Sequence, residues 1–180
     1  MLELRIQGRG GQGAQMAGEV LATTYFRQGF FVQAFSTYGG ARRGSPVSSF
    51  IRVDERPIRL RCDVDEPDAI VCFDSSLLNP ALLRGAGVDT VVLVNSSRQP
   101  EDFSDLVQFR TATLDGMSVA QANGLNGFVN SAVLGAFVRT MGSPDIDLLA
   151  EVVRRLSPAK VEENVQSLRD GYEQVKAGQG

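Results

Sequence analysis

The sequence contains no histidine and no tryptophan, and only two of its 180 residues are cysteine. The missing histidine removes Ser-His-Asp and Cys-His machinery, along with the commonest transition-metal ligand. Lys, Tyr, Asp and Glu remain available for proton transfer, but a self-sufficient enzyme becomes a poor expectation. Cys62 and Cys72 cannot by themselves hold an iron–sulfur cluster or a Cys-rich zinc site. They read as two plain thiols in a reducing compartment. No apolar run approaches the 18 residues that a membrane span needs. The first residues include Glu3 and lack a basic-then-apolar leader, so the expected location is the cytoplasm. Surplus charge is absent too. With 18 Lys and Arg against 21 Asp and Glu, the net −3 offers no surface for nucleic acid.

What is present is an ordinary globular composition, 43% hydrophobic and 22% charged. It carries no internal repeat, low-complexity tract or linker, so residues 1–180 read as one domain. The most informative stretch is Gly8-Arg9-Gly10-Gly11-Gln12-Gly13. It follows the alternating run Leu2 to Ile6, which suits a strand. It precedes Ala14 to Phe26, where Met16, Val20, Leu21 and Tyr25 recur at helical spacing. Strand, glycine turn and helix together let a backbone approach an anionic group closely, and free N–H groups at a helix start favour negative charge. The spacing fits G-x-G-x-x-G, but a NAD site also needs an acidic residue about 20 positions further on. None occurs between Glu19 and Asp54. A tight βα turn without a ligand is the competing reading.

Gly29 reads as a helix end and Phe30 to Phe35 as a buried strand. The loop Ser36 to Pro46 then combines Gly39, Gly40 and Gly44 with hydroxyls and the adjacent Arg42 and Arg43. Guanidinium forks of that kind suit phosphate or carboxylate. Val47 to Val53 followed by Pro57 to Arg61 predicts a β-hairpin, its charges (Arg52 among them) forming a mixed surface or subunit contacts. Ala69 to Phe73 and Val91 to Val94 read as central parallel strands. Asp74 and Ser75 fall at the carboxyl end of the first, where ligands of open sheets gather. The favoured role for Asp74 is nevertheless a cap on a helix running through Leu83. A weaker strand is expected at Leu106 to Phe109. The small residues in Phe128 to Phe137 predict a helix packed closely on a neighbour, in this chain or another. Ser143-Pro144 and Ser157-Pro158 resemble helix starts. Val161, Val165, Leu168, Tyr172 and Val175 mark a last amphipathic helix. The fold class is α/β: a doubly wound, Rossmann-like, mostly parallel sheet with an antiparallel hairpin and helices on both faces.

Three stretches taken together carry a resemblance. They are Arg5 to Gly13, then Tyr38-Gly39-Gly40-Ala41-Arg42-Arg43-Gly44, then Arg52 to Arg59 with Pro57-Ile58. They resemble the gamma subunit of 2-oxoacid:acceptor oxidoreductases, of which pyruvate:ferredoxin oxidoreductase is best known. The ending, Glu163-Asn164-Val165-Gln166 with Arg169, Gly171 and Tyr172, is similar to that family as well. The resemblance implies an α/β subunit of a complex that oxidatively decarboxylates a 2-oxoacid to acyl-CoA and passes electrons to ferredoxin or NAD. Partner alpha, beta and ferredoxin-like delta subunits, with an NAD or flavin subunit in some complexes, would carry thiamine diphosphate, Mg and the 4Fe-4S clusters. No catalytic or metal-binding residue is then expected here, nor any nucleic-acid or membrane partner. Carried over onto this chain, the coenzyme A positions are Gly8, Arg9, Gly10, Gly11, Gln12, Gly13, Tyr38, Gly39, Arg42, Arg43 and Ser45. Some fused members place a lysine shortly after the glycine loop, where this chain has Glu19. Two other readings stay open: a stand-alone Rossmann-type nucleotide-binding oxidoreductase, and a pure assembly module.

Overall fold

The period of two in Leu2–Arg9 divides the first strand, β1, cleanly. Leu4 and Ile6 enter the main core, while Arg5 and Gln7 face the opposite side of the sheet. The computed structural model describes residues 1–39 and 44–178. After β1 come helix α1 (Ala14–Arg27) and strands β2 (Phe31–Tyr38), β3 (Pro46–Asp54), β4 (Ala69–Cys72), β5 (Val91–Asn95) and β6 (Arg110–Leu114). Helices α2 (Gly116–Ala122), α3 (Asn130–Met141), α4 (Ile146–Leu156) and α5 (Val161–Gln174) follow, then the short β7 (Lys176–Ala177). The strands form one mixed sheet in the order β2-β3-β1-β4-β5-β6-β7. Pairings β1–β4, β4–β5 and β5–β6 are parallel, while β2–β3, β1–β3 and β6–β7 are antiparallel. Five strands consequently run in one direction, giving the mostly parallel α/β sheet expected from the alternation of strand and helix patterns.

The two faces are covered differently. All five α-helices contribute to the core on one face, against Leu4, Ile6, Ile51, Val71, Leu93 and Leu114. Each such fully buried side chain contributes roughly 1.5–3 kcal/mol. On the other face Ile70, Cys72, Val92 and Val94 lie under single 3₁₀ turns and coil carrying Leu77, Leu82, Phe103, Leu106 and Phe109. Short turns provide the helical cover there.

Several local expectations are corrected. The hairpin joins β2 to β3 rather than β3 to residues 57–61, which form no strand. In that arrangement β3 inserts between β1 and β2, so the apolar run expected as a buried strand becomes an edge strand. Pro57 cannot donate to a ladder, and the carbonyls of Leu60, Cys62 and Asp63 are taken up instead by the side chains of Gln33 and Arg52. Arg52, expected at the surface or in a subunit contact, is instead buried within the chain at 1% exposure. Ser104–Leu106 is a 3₁₀ turn, and the strand there begins at Arg110. Helices α4 and α5 start two and three residues after the prolines of the Ser-Pro pairs, behind Asp145 and Lys160. The close neighbour of α3 is α5 of the same chain: a Cβ placed on Gly135 would lie 1.8 Å from the Leu168 carbonyl oxygen.

Candidate functional site

The turn after β1 is shaped by its glycines. Gly11 and Gly13 adopt φ of +99° and +87°, values that strain any residue with a Cβ. Gly8 lets strand, helix and β4 close up, since a Cβ there would lie 3.0 Å from Ala14 and 3.2 Å from Phe73. The Gln12 side chain folds back over the turn. Its Oε1 accepts from the Arg9 amide at 2.7 Å and its Nε2 donates to Asp74 at 3.2 Å. Among the described residues, no acceptor meets the amides of Gly11 and Gly13.

The hairpin loop comes to this turn. Gly10 N–H donates to the Ser45 carbonyl at 2.9 Å, and Arg9 donates to the Gly44 carbonyl at 3.2 Å. Gly39 N–H donates to the Pro46 carbonyl, and the Tyr38 hydroxyl to Gln15 on the first turn of α1. The fold thereby gathers Gly8 to Gly13, Tyr38, Gly39 and Ser45 at one end of the sheet. Arg42 and Arg43, the remaining two of the residues read as coenzyme A contacts, lie outside the described residues.

Two participants, Ser76 and Asn130, escaped the sequence reading, and Asp74 does more than the helix cap favoured for it. Asp74, at the carboxyl end of β4, caps only a single 3₁₀ turn through the Ser76 amide, and its other oxygen receives Arg9 Nε at 2.8 Å. Partial burial pushes the Asp74 carboxyl up. The Ser76 hydroxyl and amide, Arg9 and Gln12 outweigh that and hold it below the usual carboxylate range. Ser76 also accepts from Arg9, so the Arg9 fork is divided between Asp74, Ser76 and Gly44. The Gln12 side chain ties this brace to the glycine turn. Asn130, the first residue of α3, stands directly opposite Gly13, whose added Cβ would lie 3.3 Å from the asparagine Cβ. Position at a strand's carboxyl end marked Asp74 in the sequence; nothing local announces Asn130.

The site is therefore a meeting of two helix starts. α1 begins behind Gly13 and α3 behind Val129. Neither has a side-chain cap, and neither carries an acidic residue in its first turn. Each start leaves unsatisfied N–H groups and a partial positive charge of about half a unit. Beside them Phe128 and Met117 are exposed, 65% and 46%.

The sequence matches the family described as pyruvate ferredoxin/flavodoxin oxidoreductase over residues 3–174. The chain belongs to that family. It is 34% identical over 182 residues to the common gamma subunit of pyruvate/ketoisovalerate oxidoreductases from Pyrococcus furiosus, with 98% of each chain covered. The crystal structure of pyruvate oxidoreductase subunit PORC from Thermotoga maritima superposes with a TM-score of 0.88 at 33% identity, covering 99% of this chain and 98% of that one. The fold recurs in a 2-oxoglutarate:ferredoxin oxidoreductase from Magnetococcus marinus solved with 2-oxoglutarate, coenzyme A and succinyl-CoA bound. The TM-score is 0.77 at 18% identity, over 96% of this chain but 30% of that one. The protein is accordingly a gamma-type subunit of the 2-oxoacid oxidoreductases, one component of a multi-subunit enzyme.

Among the described residues no group of three or more His, Cys, Asp or Glu side chains is placed to hold a metal ion, and no helix is long and apolar enough to cross a membrane. The two thiols differ sharply. Cys62 is exposed; Cys72 is buried beneath the site and donates to the Asp74 carbonyl. Burial pushes the Cys72 thiol up to about 12. A thiol reagent should thus titrate one cysteine quickly and the second only after denaturation. Because the folded pKa is raised, the thiol's contribution is complete below the unfolded value near 9 and is lost as pH rises toward 12. Within that window stability should fall by up to roughly 1.4 kcal/mol per pH unit from this group. Equal labelling of both cysteines in the native chain would contradict the burial.

Proposed function

We propose that this gamma subunit holds the phosphate groups of coenzyme A at the convergence of α1 and α3, within a complex that converts a 2-oxoacid to acyl-CoA. The carrying observation is the pair of uncapped helix starts meeting across Gly13 and Asn130. Backbone amides of Gly11 and Gly13 offer donors to an anion without a side chain in the way. Arg9 is committed to Asp74, Ser76 and Gly44, so in this reading it braces the cradle, and the phosphate-pairing guanidinium groups are Arg42 and Arg43. Phe128 and Met117 give an apolar rim on which the adenine or pantetheine part can rest. The Magnetococcus marinus enzyme, which shares the fold, binds coenzyme A, and this supports the assignment.

Thiamine diphosphate with Mg and the iron–sulfur clusters belong to partner alpha, beta and ferredoxin-like delta chains in this proposal. They supply decarboxylation and electron transfer, while this chain binds and orients the acyl acceptor. Pyruvate or a branched 2-oxoacid is the substrate class that the Pyrococcus furiosus relative's name points to. The site of action is the cytoplasm.

The test uses the assembled complex. Replacing Arg42 and Arg43 with Ala should raise the KM for coenzyme A roughly tenfold or more, since each lost charged hydrogen bond costs about 1.5–3 kcal/mol. An unchanged KM would leave the chain as an assembly module. Micromolar binding of NADH or NADPH to the isolated chain would favour the stand-alone nucleotide-binding reading instead.

A further inference from the structure

The outer side of β2 is left open. The strand pairs with β3 over all eight residues in one unbroken register, Phe31 with Asp54 through Tyr38 with Val47, and it stands at the end of the sheet. Its sequence, Phe-Val-Gln-Ala-Phe-Ser-Thr-Tyr, has no charge, no proline and no bulge. Those are the devices by which edge strands normally resist pairing with other chains. Apart from Gln33 its residues are aromatic, β-branched or small, the composition that accepts a neighbouring strand. Large apolar side chains are exposed at both ends of the strand, Phe31 at 47% and Tyr38 at 58%, and Phe26 on α1 is exposed at 70%.

The helix-facing side adds a groove of about 350 Å³ between α1 and β2. It is lined by Gln15, Glu19 and Thr23 from the helix and by Ala34, Ser36 and Tyr38 from the strand. It lies where α1 packs close over β3, with Gly18 leaving room only for Ser49, and reaches across to β2 without filling the space beside Ala34 and Ser36. Glu19 is exposed in this groove, and among the described residues it makes no ion pair. A carboxylate in an otherwise neutral groove favours a cationic visitor. Backbone ladder, side-chain slot and one fixed charge together specify an occupant.

We infer that the β2 edge is a docking surface for an extended segment of another subunit of the same complex, which adds an eighth strand and directs a Lys or Arg into the groove beside Glu19. The inference rests on the gamma-subunit reading. A lone strand pairing is marginal in water, so the segment must be anchored by the rest of its subunit. A free peptide would not be held.

Hydrogen exchange over residues 31–38, compared between the isolated chain and the assembled complex, tests this directly. The outward-facing amides should slow at least about tenfold on assembly. With p-benzoylphenylalanine in place of Phe31, irradiation of the complex should cross-link to a segment of a different subunit that carries a basic residue. Ala34→Asp, at an exposed position, should leave the melting temperature of the isolated chain unchanged while weakening its retention in the complex tenfold or more. Unchanged exchange in an intact complex overturns the inference alone, as does a cross-link to a second copy of this chain. Failure of the native chain to join any complex overturns the gamma-subunit reading and this inference with it.

Discussion

Gly135→Ala should cost the protein about 3 kcal/mol or more, the upper end of what overpacking exacts, and Gly171→Ala should behave the same way. A Cβ on Gly135 would stand 1.8 Å from the Leu168 carbonyl oxygen and 2.8 Å from the Tyr172 amide nitrogen; one on Gly171 would stand 2.0 Å from the Ala132 carbonyl oxygen. These obstacles are backbone atoms of the facing helix, so no side-chain rotation relieves them. α3 and α5 would have to move apart, and α3 carries Ala132, Val133, Leu134, Ala136 and Phe137 in the main core. For a chain of this size the melting temperature should drop by roughly 6–12 °C. Gly87→Ala is the matched control, because nothing lies within 4 Å of its added methyl; it should shift stability by no more than about 0.5 kcal/mol. If Gly135→Ala melted with Gly87→Ala, the helix contact would be looser than its geometry says. The consequence reaches the site as well, since Asn130 opposite Gly13 is the first residue of the displaced helix.

The pattern of residues that could be read directly follows from the range of the forces involved. The turn from β1 into α1 was legible because glycine frequency and helical spacing are local signals, and so were the buried runs of β4 and β5. Strand order was not. Phe30 to Phe35 reads as buried because its residues are apolar, yet its place at the margin is decided by β3 inserting beside β1, a long-range event. The same insertion hid Arg52, whose neighbours in sequence, Asp54, Glu55 and Arg56, look like a solvated turn. At the site, the glycines advertised themselves, whereas Asn130 reaches Gly13 from more than a hundred residues away. Family resemblance supplied what spacing could not: that the chain is one component of a multi-subunit oxidoreductase.

Arg52→Met should destabilise the chain by about 3–5 kcal/mol, the penalty for breaking a buried ion pair from one side. Arg52 Nε donates to Glu3 at 2.6 Å, and the two NH groups donate to Gln33 and to the carbonyls of Cys62 and Asp63 at 2.8–3.0 Å. Methionine fills much of the volume but leaves Glu3, which is 19% exposed on its side chain, with no counter-charge from Arg52, and strands two carbonyls. Arg52→Lys keeps the charge and loses the planar fork, so it should recover only part of the stability. The double variant Glu3→Gln/Arg52→Met should be less destabilised than the sum of its single changes, because the orphaned carboxylate is gone. A second readout separates this effect from general softening. Residues 57–63 form no regular structure and are held to the sheet by Arg52 and Gln33, with Arg5 gripping the next carbonyl at Val64. In Arg52→Met that segment should therefore become the first point of proteolytic cleavage, under conditions where the native chain is intact. Cleavage that begins elsewhere, with residues 57–63 still protected, would show that Arg52 stabilises the sheet without anchoring the crossing segment.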